Sequence, residues 1–337
     1  MAPSTPLSNE LPPGLLEKDI IDAITESGYP LQTKVAASLL SHGFDPVDEE
    51  WPYIDSDTHQ TREIDLRATK SLEGTELEPM LGRSGIEPML NLMFECKQST
   101  LPYVFFLCQR TPWIDHFPIM AGLPGRFVFV DMDPAGWITP IVNALGVNGP
   151  EVSHEFMKKP SCCLSFSKCV RSSKRIELSG TEAYNSLVLP LIKAMQHFEE
   201  AMLPKGGADP KIKLTCMVTL GIGVLDAPII GVRPSAEDSG PHIIRLPWVR
   251  VARRGAIETP LLDENKGTFG IDVVHKDFLD EYLSEHVLPF FLDLSRSAIQ
   301  HSKIMRTGTG FGVMDDSGRI ELKRRRARPE RIPFRRA

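Results

Sequence analysis

The sequence predicts an α/β domain built on a central mixed β-sheet flanked by helices, and three observations predict it. Two segments near the N-terminus carry apolar residues at helical spacing. Several short runs rich in β-branched and aromatic residues follow, some apolar at successive positions, as strands buried on both faces are. A long amphipathic segment at 181–202 stands directly before the longest of these runs, the order of a crossover between strands of one sheet.

Residues 1–14 are rich in Pro and Ser without periodicity and read as a flexible leader. In 15–27, Leu15, Leu16, Ile20, Ile21 and Ile24 fall at helical spacing; Gly28-Tyr29-Pro30 then breaks the chain. A second helix is predicted over 31–42, with Leu31, Val35, Leu39 and Leu40 inward and Gly43 closing it. Strand-like pieces at 44–53 and 62–68, separated by the polar turn Asp55-Ser56-Asp57-Thr58-His59, predict a hairpin. Runs at 89–96 and 103–108 predict buried strands. Residues 109–180, broken by Pro and Gly but holding a strand at 126–130, read as a large insertion. A helix at 181–202, with Thr181 as its N-cap, leads into an apolar run at 212–225. Strands at 243–251 and 271–274 follow, then a helix from 277 to about 301 kinked at Pro289. One domain over 15–302 is therefore expected, with a basic tail over 303–337. At 42% hydrophobic and 24% charged residues, the composition excludes wholesale disorder.

The stretch 214–232 approaches membrane-spanning length but carries Asp226 and Pro228 among β-branched residues, which points to buried strands. The N-terminus has no basic region followed by an apolar one, so a cytoplasmic protein without membrane association is expected. Six cysteines without a CxxC pair fit reduced thiols, Cys162, Cys163 and Cys169 being the weak candidates for a metal. Net charge is -6, although residues 321–337 hold eight Lys or Arg against two Glu. An acidic body argues against duplex binding over a whole face and leaves room only for a local basic groove.

The pattern that carries chemistry is Asp65 within Arg62-Glu63-Ile64-Asp65-Leu66, followed by Glu95-Cys96-Lys97 at the end of an apolar run. Phosphodiester hydrolysis calls for a hard divalent ion, and such ions take oxygen ligands. Strand alternation sets Glu95 and Lys97 on one face, so the lysine stands beside the carboxylate, within reach of water or developing phosphoryl charge. Acid-x-Lys triplets also occur at Glu264, Glu321 and Asp209, but in loop-like or tail-like contexts. Only Glu95-Cys96-Lys97 ends a buried run and follows an acid flanked by Ile64 and Leu66. GxxxxGK[ST], HExxH and GxSxG are absent from the sequence. Asp272 and His275 could serve as ligands, but a strand end capping the next helix explains them more simply.

In this order of elements, over about 15–108 and 181–226, the chain resembles the PD-(D/E)XK, or restriction-endonuclease-like, superfamily. The resemblance implies Asp65, Glu95 and Lys97 as catalytic residues, with Gln32 where many members place an acid on the first core helix. Glu26 and Glu63 are the possible substitutes for that acid. The implied ligands of Mg2+, or of Mn2+, are Asp65, Glu95 and Cys96. The implied activity is that of an endonuclease, most simply on DNA, in defence or repair, with a homodimer or larger complex as a possible assembly. Two other classes remain open: a catalytically inactive nuclease-fold module that binds nucleic acid, and an interaction subunit of a larger complex. Arg250, Arg253 and Arg254 near the sheet edge, and Arg324, Arg325 and Arg326 in the tail, are the expected phosphate contacts.

Overall fold

The apolar run at 89–96 lies within the thirteen-residue strand around which the sheet is assembled. The structure, a computed structural model, describes residues 10–114, 117–131, 136–146, 154–158, 160–204, 213–233, 240–254, 267–314 and 320–322. Helices α1 (Glu17–Glu26) and α2 (Tyr29–Ser41) precede strands β1 (Val47–Ile54) and β2 (Thr61–Lys70). After α3 (Glu78–Ser84) come β3 (Ile86–Gln98), β4 (Tyr103–Leu107), β5 (Ile119–Ala121), β6 (Phe127–Asp131) and β7 (Gly136–Pro140). Short helices α4 (Ile141–Ala144) and α5 (Glu155–Lys158) lead to β8 (Cys162–Ser172) and β9 (Arg175–Ser179). Helix α6 (Gly180–Ala183) passes through a π turn at Tyr184–Val188 into α7 (Leu189–Ala201). Strands β10 (Leu214–Asp226), β11 (Ile229–Arg233), β12 (His242–Arg245), β13 (Trp248–Arg254) and β14 (Thr268–His275) follow. A 3-10 turn (Lys276–Phe278), α8 (Leu279–Glu281), a π turn (Tyr282–Val287) and α9 (Leu288–Gln300) form one helical stretch before α10 (Ser302–Thr307), β15 (Thr309–Met314) and β16 (Ile320–Leu322).

The main sheet is mixed, in the order β1-β2-β3-β10-β14-β13-β8-β4-β11-β12. Its centre is parallel: β3 pairs with β10 along its whole length, and β10 with β14. Parallel strands need both faces covered, and helices do so here. On one face, Leu90, Leu92, Phe94 and Cys96 of β3 pack with Leu31, Val35 and Leu39 of α2 and Phe291 and Leu294 of α9. On the other, Met93 packs in a core with Leu187, Leu191, Met195 and Phe198 of the α7 stretch. Gly223 keeps that stretch close, since a Cβ there would meet Leu187 Cδ1 at 2.7 Å. Among the described residues, no helix is long and apolar enough to cross a membrane.

The expected helices and the 55–59 hairpin turn are present within a few residues, but several expectations are corrected. The segment 109–180 is more than an insertion: β5 pairs with β10, and β8 lies between β13 and β4 in the main sheet. Only β6 and β7, joined by β15 and β16, build a separate small sheet. Helix α10 and strands β15 and β16 occupy the described part of the segment expected as a tail from residue 303. The strand expected over 243–251 is two strands, because Pro247 lacks the N–H needed to continue a ladder. Thr181 is not an N-cap, as the helix begins at Gly180. At Pro289 the helix widens into the preceding π turn, leaving Pro289 in the first turn of α9. A proline cannot donate to the carbonyl four residues back, and Pro190 follows the other π turn in the same way.

The largest correction concerns Arg250. Expected at a nucleic-acid surface, it is 1% exposed. Its Nε donates to Asp272 Oδ1 at 2.6 Å and its Nη2 to Asp272 Oδ2 at 2.8 Å, while Tyr282 Oη donates to the same carboxylate. The guanidinium stacks 3.9 Å from the Phe117 ring centroid and 4.7 Å from that of Phe156. Asp272 is thus the partner of a buried cation and not a cap; His275 alone caps, accepting from the Asp277 N–H. Removing one member of a buried pair strands the other. Arg250→Ala is expected to lower unfolding free energy by about 3–5 kcal/mol in urea titration. Arg253→Ala, at an exposed position, is expected to change it by no more than about 0.5 kcal/mol.

Candidate active site

The β2–β3 ladder runs regularly from Lys70↔Leu90 to Leu66↔Phe94 and stops there. At the next level a side chain replaces the backbone: the Cys96 N–H donates to Asp65 Oδ2 at 2.6 Å. β1 is disturbed at the same level. Glu50 lies opposite Asp65, between the pairs Glu49↔Leu66 and Trp51↔Ile64, and takes a left-handed φ of 53°. Such a backbone is costly for a residue with a Cβ, and it opens the strands where Asp65 turns toward β3. Lys97 Nζ lies 2.5 Å from Glu95 Oε2 and 3.4 Å from Asp65 Oδ2. One ammonium therefore touches both carboxylates.

Burial grades across the three groups. The Glu95 side chain is 5% exposed, while Lys97 and Asp65 are 28% and 29% exposed. Burial, and next the Asp65 charge, lift the Glu95 pKa from 4.5 to about 7 against the opposing pull of Lys97. For Lys97, burial pulls its pKa down but the two carboxylates outweigh it, so the ammonium is held above its ordinary value. Lys97 is thus a fixed positive charge and a poor base. Tyr53 and Tyr103 are both buried, Tyr53 near enough to feel the Glu95 charge and Tyr103 that of Lys97. Burial pushes Tyr53 up to about 12, with Glu95 adding to the rise.

Lys97 and Asp65 open onto a cleft of about 480 Å³, also lined by Gln32, Tyr29, Glu50 and Glu63. Gln32 Nε2 donates to the Asp65 carbonyl at 2.9 Å and to Glu49 Oε2 at 3.4 Å, so its nitrogen is engaged, whereas a metal would be met by its carbonyl oxygen. Gln32 is a positioning residue that fixes the backbone of Asp65. Cys96 also borders the cleft, but its side chain packs with the α2-side core and burial raises its thiol pKa well above the ordinary value. Arg253 and Arg254 are exposed but lie far from the cleft. The level of Glu95 runs through Gly223 and Val273 to Val249, and Arg253 stands four residues beyond it, on the third strand over. That separation is roughly 14 Å across the sheet and roughly 13 Å along it. Arg253 instead stacks its guanidinium 4.6 Å from the Tyr184 ring centroid. Arg324, Arg325 and Arg326 lie outside the described residues, as does the Glu26 side chain.

Sequence reasoning missed Glu49, Glu50, Tyr53 and Tyr103. The β1 acids stand in Asp-Glu-Glu-Trp, where alternation alone assigns one to solvent, and only the irregular φ brings Glu50 to the cleft. Among the described residues, no three His, Cys, Asp or Glu side chains converge closely enough to hold a metal alone. No protein-family model matches the chain, and no curated protein or solved structure matches it.

Two measurements test this geometry. Gln32→Glu places a carboxylate against the Asp65 carbonyl and Glu49, where the amide now donates, and is expected to cost about 1–3 kcal/mol of stability by denaturant titration. Glu95 has a folded pKa above its unfolded one, so its contribution to stability is full below about 4.5 and is lost as pH rises through about 7. In the presence of chelator, wild-type Tm is therefore expected to fall relative to Glu95→Gln between pH 5 and pH 8. A constant difference across that range rejects the buried, carboxylate-facing placement.

Proposed function

We propose that the chain is a metal-dependent nuclease, hydrolysing phosphodiester bonds on a fold similar to the PD-(D/E)XK superfamily, with DNA as the most natural substrate. The single observation that supports it best is the Lys97 ammonium held against both the Asp65 and Glu95 carboxylates. Two acids converging on one cation in a half-buried cleft are a poor arrangement for stability alone, because each unpaired state is costly.

The donors fit a hard divalent ion, Mg2+ or Mn2+. Two carboxylates already gather round one positive charge, and burial lifts the Glu95 pKa in a way that a nearby cation would reverse. Asp65 and Glu95 would hold the ion. With no third acidic side chain in the cluster among the described residues, the remaining positions would fall to water, backbone carbonyls and substrate phosphate, as Mg2+ commonly accepts. Bound there, the ion would polarise the phosphate and lower the pKa of a bound water. Lys97, a permanent cation at the cleft wall, is suited to orienting the phosphate and offsetting charge that develops on it. Gln32 holds the Asp65 backbone through its amide N–H, and Glu95 itself is buried from bulk water. The other reading, a nuclease-like module that binds without cutting, is favoured by one feature: Gln32, at the place of a third acid, brings no negative charge to the cleft.

Asp65→Asn keeps the size of the side chain but removes half of the acidic pair. It is expected to reduce cleavage of a plasmid or oligonucleotide panel about 100-fold or more while leaving Tm nearly unchanged. Lys97→Ala is expected to cut the rate to a similar degree yet retain most of the Mg2+ or Mn2+ affinity measured by calorimetry, since an ammonium is not a ligand. Wild-type cleavage by Asp65→Asn rejects the site; no cleavage and no metal binding by any form favours the binding module.

A further inference from the structure

The main sheet narrows at one joint. β13 and β8 pair over only two residues, Arg250↔Cys162 and Val251↔Cys163, and through them the strands of the carboxylate cluster meet β8, β4, β11 and β12. On its other edge β8 runs antiparallel to β4, and the last register pair is Leu107↔Cys163. One step further sets Cys108 opposite Cys162, and the Cys108 N–H donates to the Cys162 carbonyl at 2.7 Å. Leu107 and Cys163 pack into the α7-side core, whereas Cys162 packs into the opposite one. Alternation turns Cys108 to the same face as Cys162. Opposed residues of a hydrogen-bonded antiparallel pair have Cα atoms about 5.5 Å apart. A disulfide tolerates about 4.4–6.8 Å.

All six cysteines are free, and the two differ in access: Cys162 is buried, while Cys108 is half-buried. Cys108 is also near enough to add to the rise of the Cys162 pKa, which burial chiefly causes and Arg250 opposes. The proposed nuclease chemistry uses neither thiol.

We propose that Cys108 and Cys162 are a reversible redox pair in which a hydroperoxide oxidises Cys108 and Cys162 resolves it as a cross-strand disulfide. The Cys108 thiolate attacks the peroxide, forming an S–O bond as the O–O bond breaks and hydroxide, once protonated, leaves as water. Cys162 sulfur then attacks the sulfenic sulfur. The S–S bond forms, the S–O bond breaks, and the departing hydroxide takes the Cys162 proton as a second water. The two cysteines lose two electrons and the peroxide gains them. The bond ties the end of β4 to Cys162 of β8, the residue that pairs with Arg250 across the joint, so it forms beside the narrowest described hydrogen-bonded part of the sheet.

The test is to oxidise the full chain with hydrogen peroxide, block remaining thiols, and combine thiol titration in denaturant with peptide mass spectrometry. Two of the six thiols are expected to disappear, with one dithiothreitol-reversible link joining Cys108 to Cys162. Cys163→Ser is expected to retain that link and Cys108→Ser to abolish it. Fragmentation of the wild-type cross-linked peptide identifies the partner sulfur directly, so the result does not depend on whether Cys162→Ser folds. Three outcomes overturn the proposal: a link to Cys163 in place of Cys162, over-oxidation of Cys108 with no link, or six thiols unchanged under peroxide that oxidises a free-thiol control peptide.

Discussion

The functional reading depends on a carboxylate placed where a core residue belongs. Glu95 sits near the end of the central strand with Phe94 and Cys96 packed on either side, and its oxygen has a cation as partner in place of water. Burying one acid beside a second in a low-dielectric layer is unfavourable unless positive charge is supplied. Lys97 supplies it from the same strand, two residues on. The termination of the β2–β3 ladder, the irregular β1 and the Gln32 hydrogen bond to the Asp65 carbonyl all serve to bring the second carboxylate to that same ammonium.

The sheet contains another internal ion pair, and the contrast between the two is informative. Arg250 and Asp272 are each 1% exposed, joined by two hydrogen bonds, completed by Tyr282 and enclosed by aromatic rings. Every charge there is satisfied internally, and both side chains are shut off from solvent. In the Asp65–Glu95–Lys97 cluster, by contrast, Lys97 and Asp65 face a polar cleft, and the pKa of Glu95 is lifted toward neutrality. A closed network fixes strand β13 against β14. An open and strained one is an arrangement that a ligand can relieve.

Much of the central architecture was legible because it follows from periodicity. The helix at 29–41, the hairpin around 55–59, the buried runs of β3 and β10 and the 181–202 helix all announce themselves through apolar spacing and turn residues. The acid-x-lysine pairing was legible for the same reason, since alternation alone puts Glu95 and Lys97 on one face. What periodicity does not encode is which distant strand lies beside which. β8 looked like part of an insertion because its sequence, Cys-Cys-Leu-Ser-Phe-Ser, alternates only weakly, yet it fills the place between β13 and β4. Arg250 looked like a surface cation because its acidic partner lies 22 residues away on the neighbouring strand. Glu50 was hidden by its backbone: no alternation rule anticipates a left-handed residue inside a strand.

Electrostatics sets the last constraint on the proposed activity. The cleft wall offers Glu50, Glu63 and Asp65 against Lys97, so a polyanion approaching the protein without cations meets a surface of its own sign. The exposed arginines of β13 are too distant to reverse that, and the buried Arg250 contributes no accessible charge. Under the proposed activity, phosphate would approach these described residues more readily once the acidic groups were neutralised. A divalent ion between Asp65 and Glu95 would do this at the point where phosphate must sit, coupling substrate affinity to metal occupancy. The acidity of the body, which argues against broad duplex binding, is on this view compatible with a narrow site whose affinity for phosphate depends on the metal bound there.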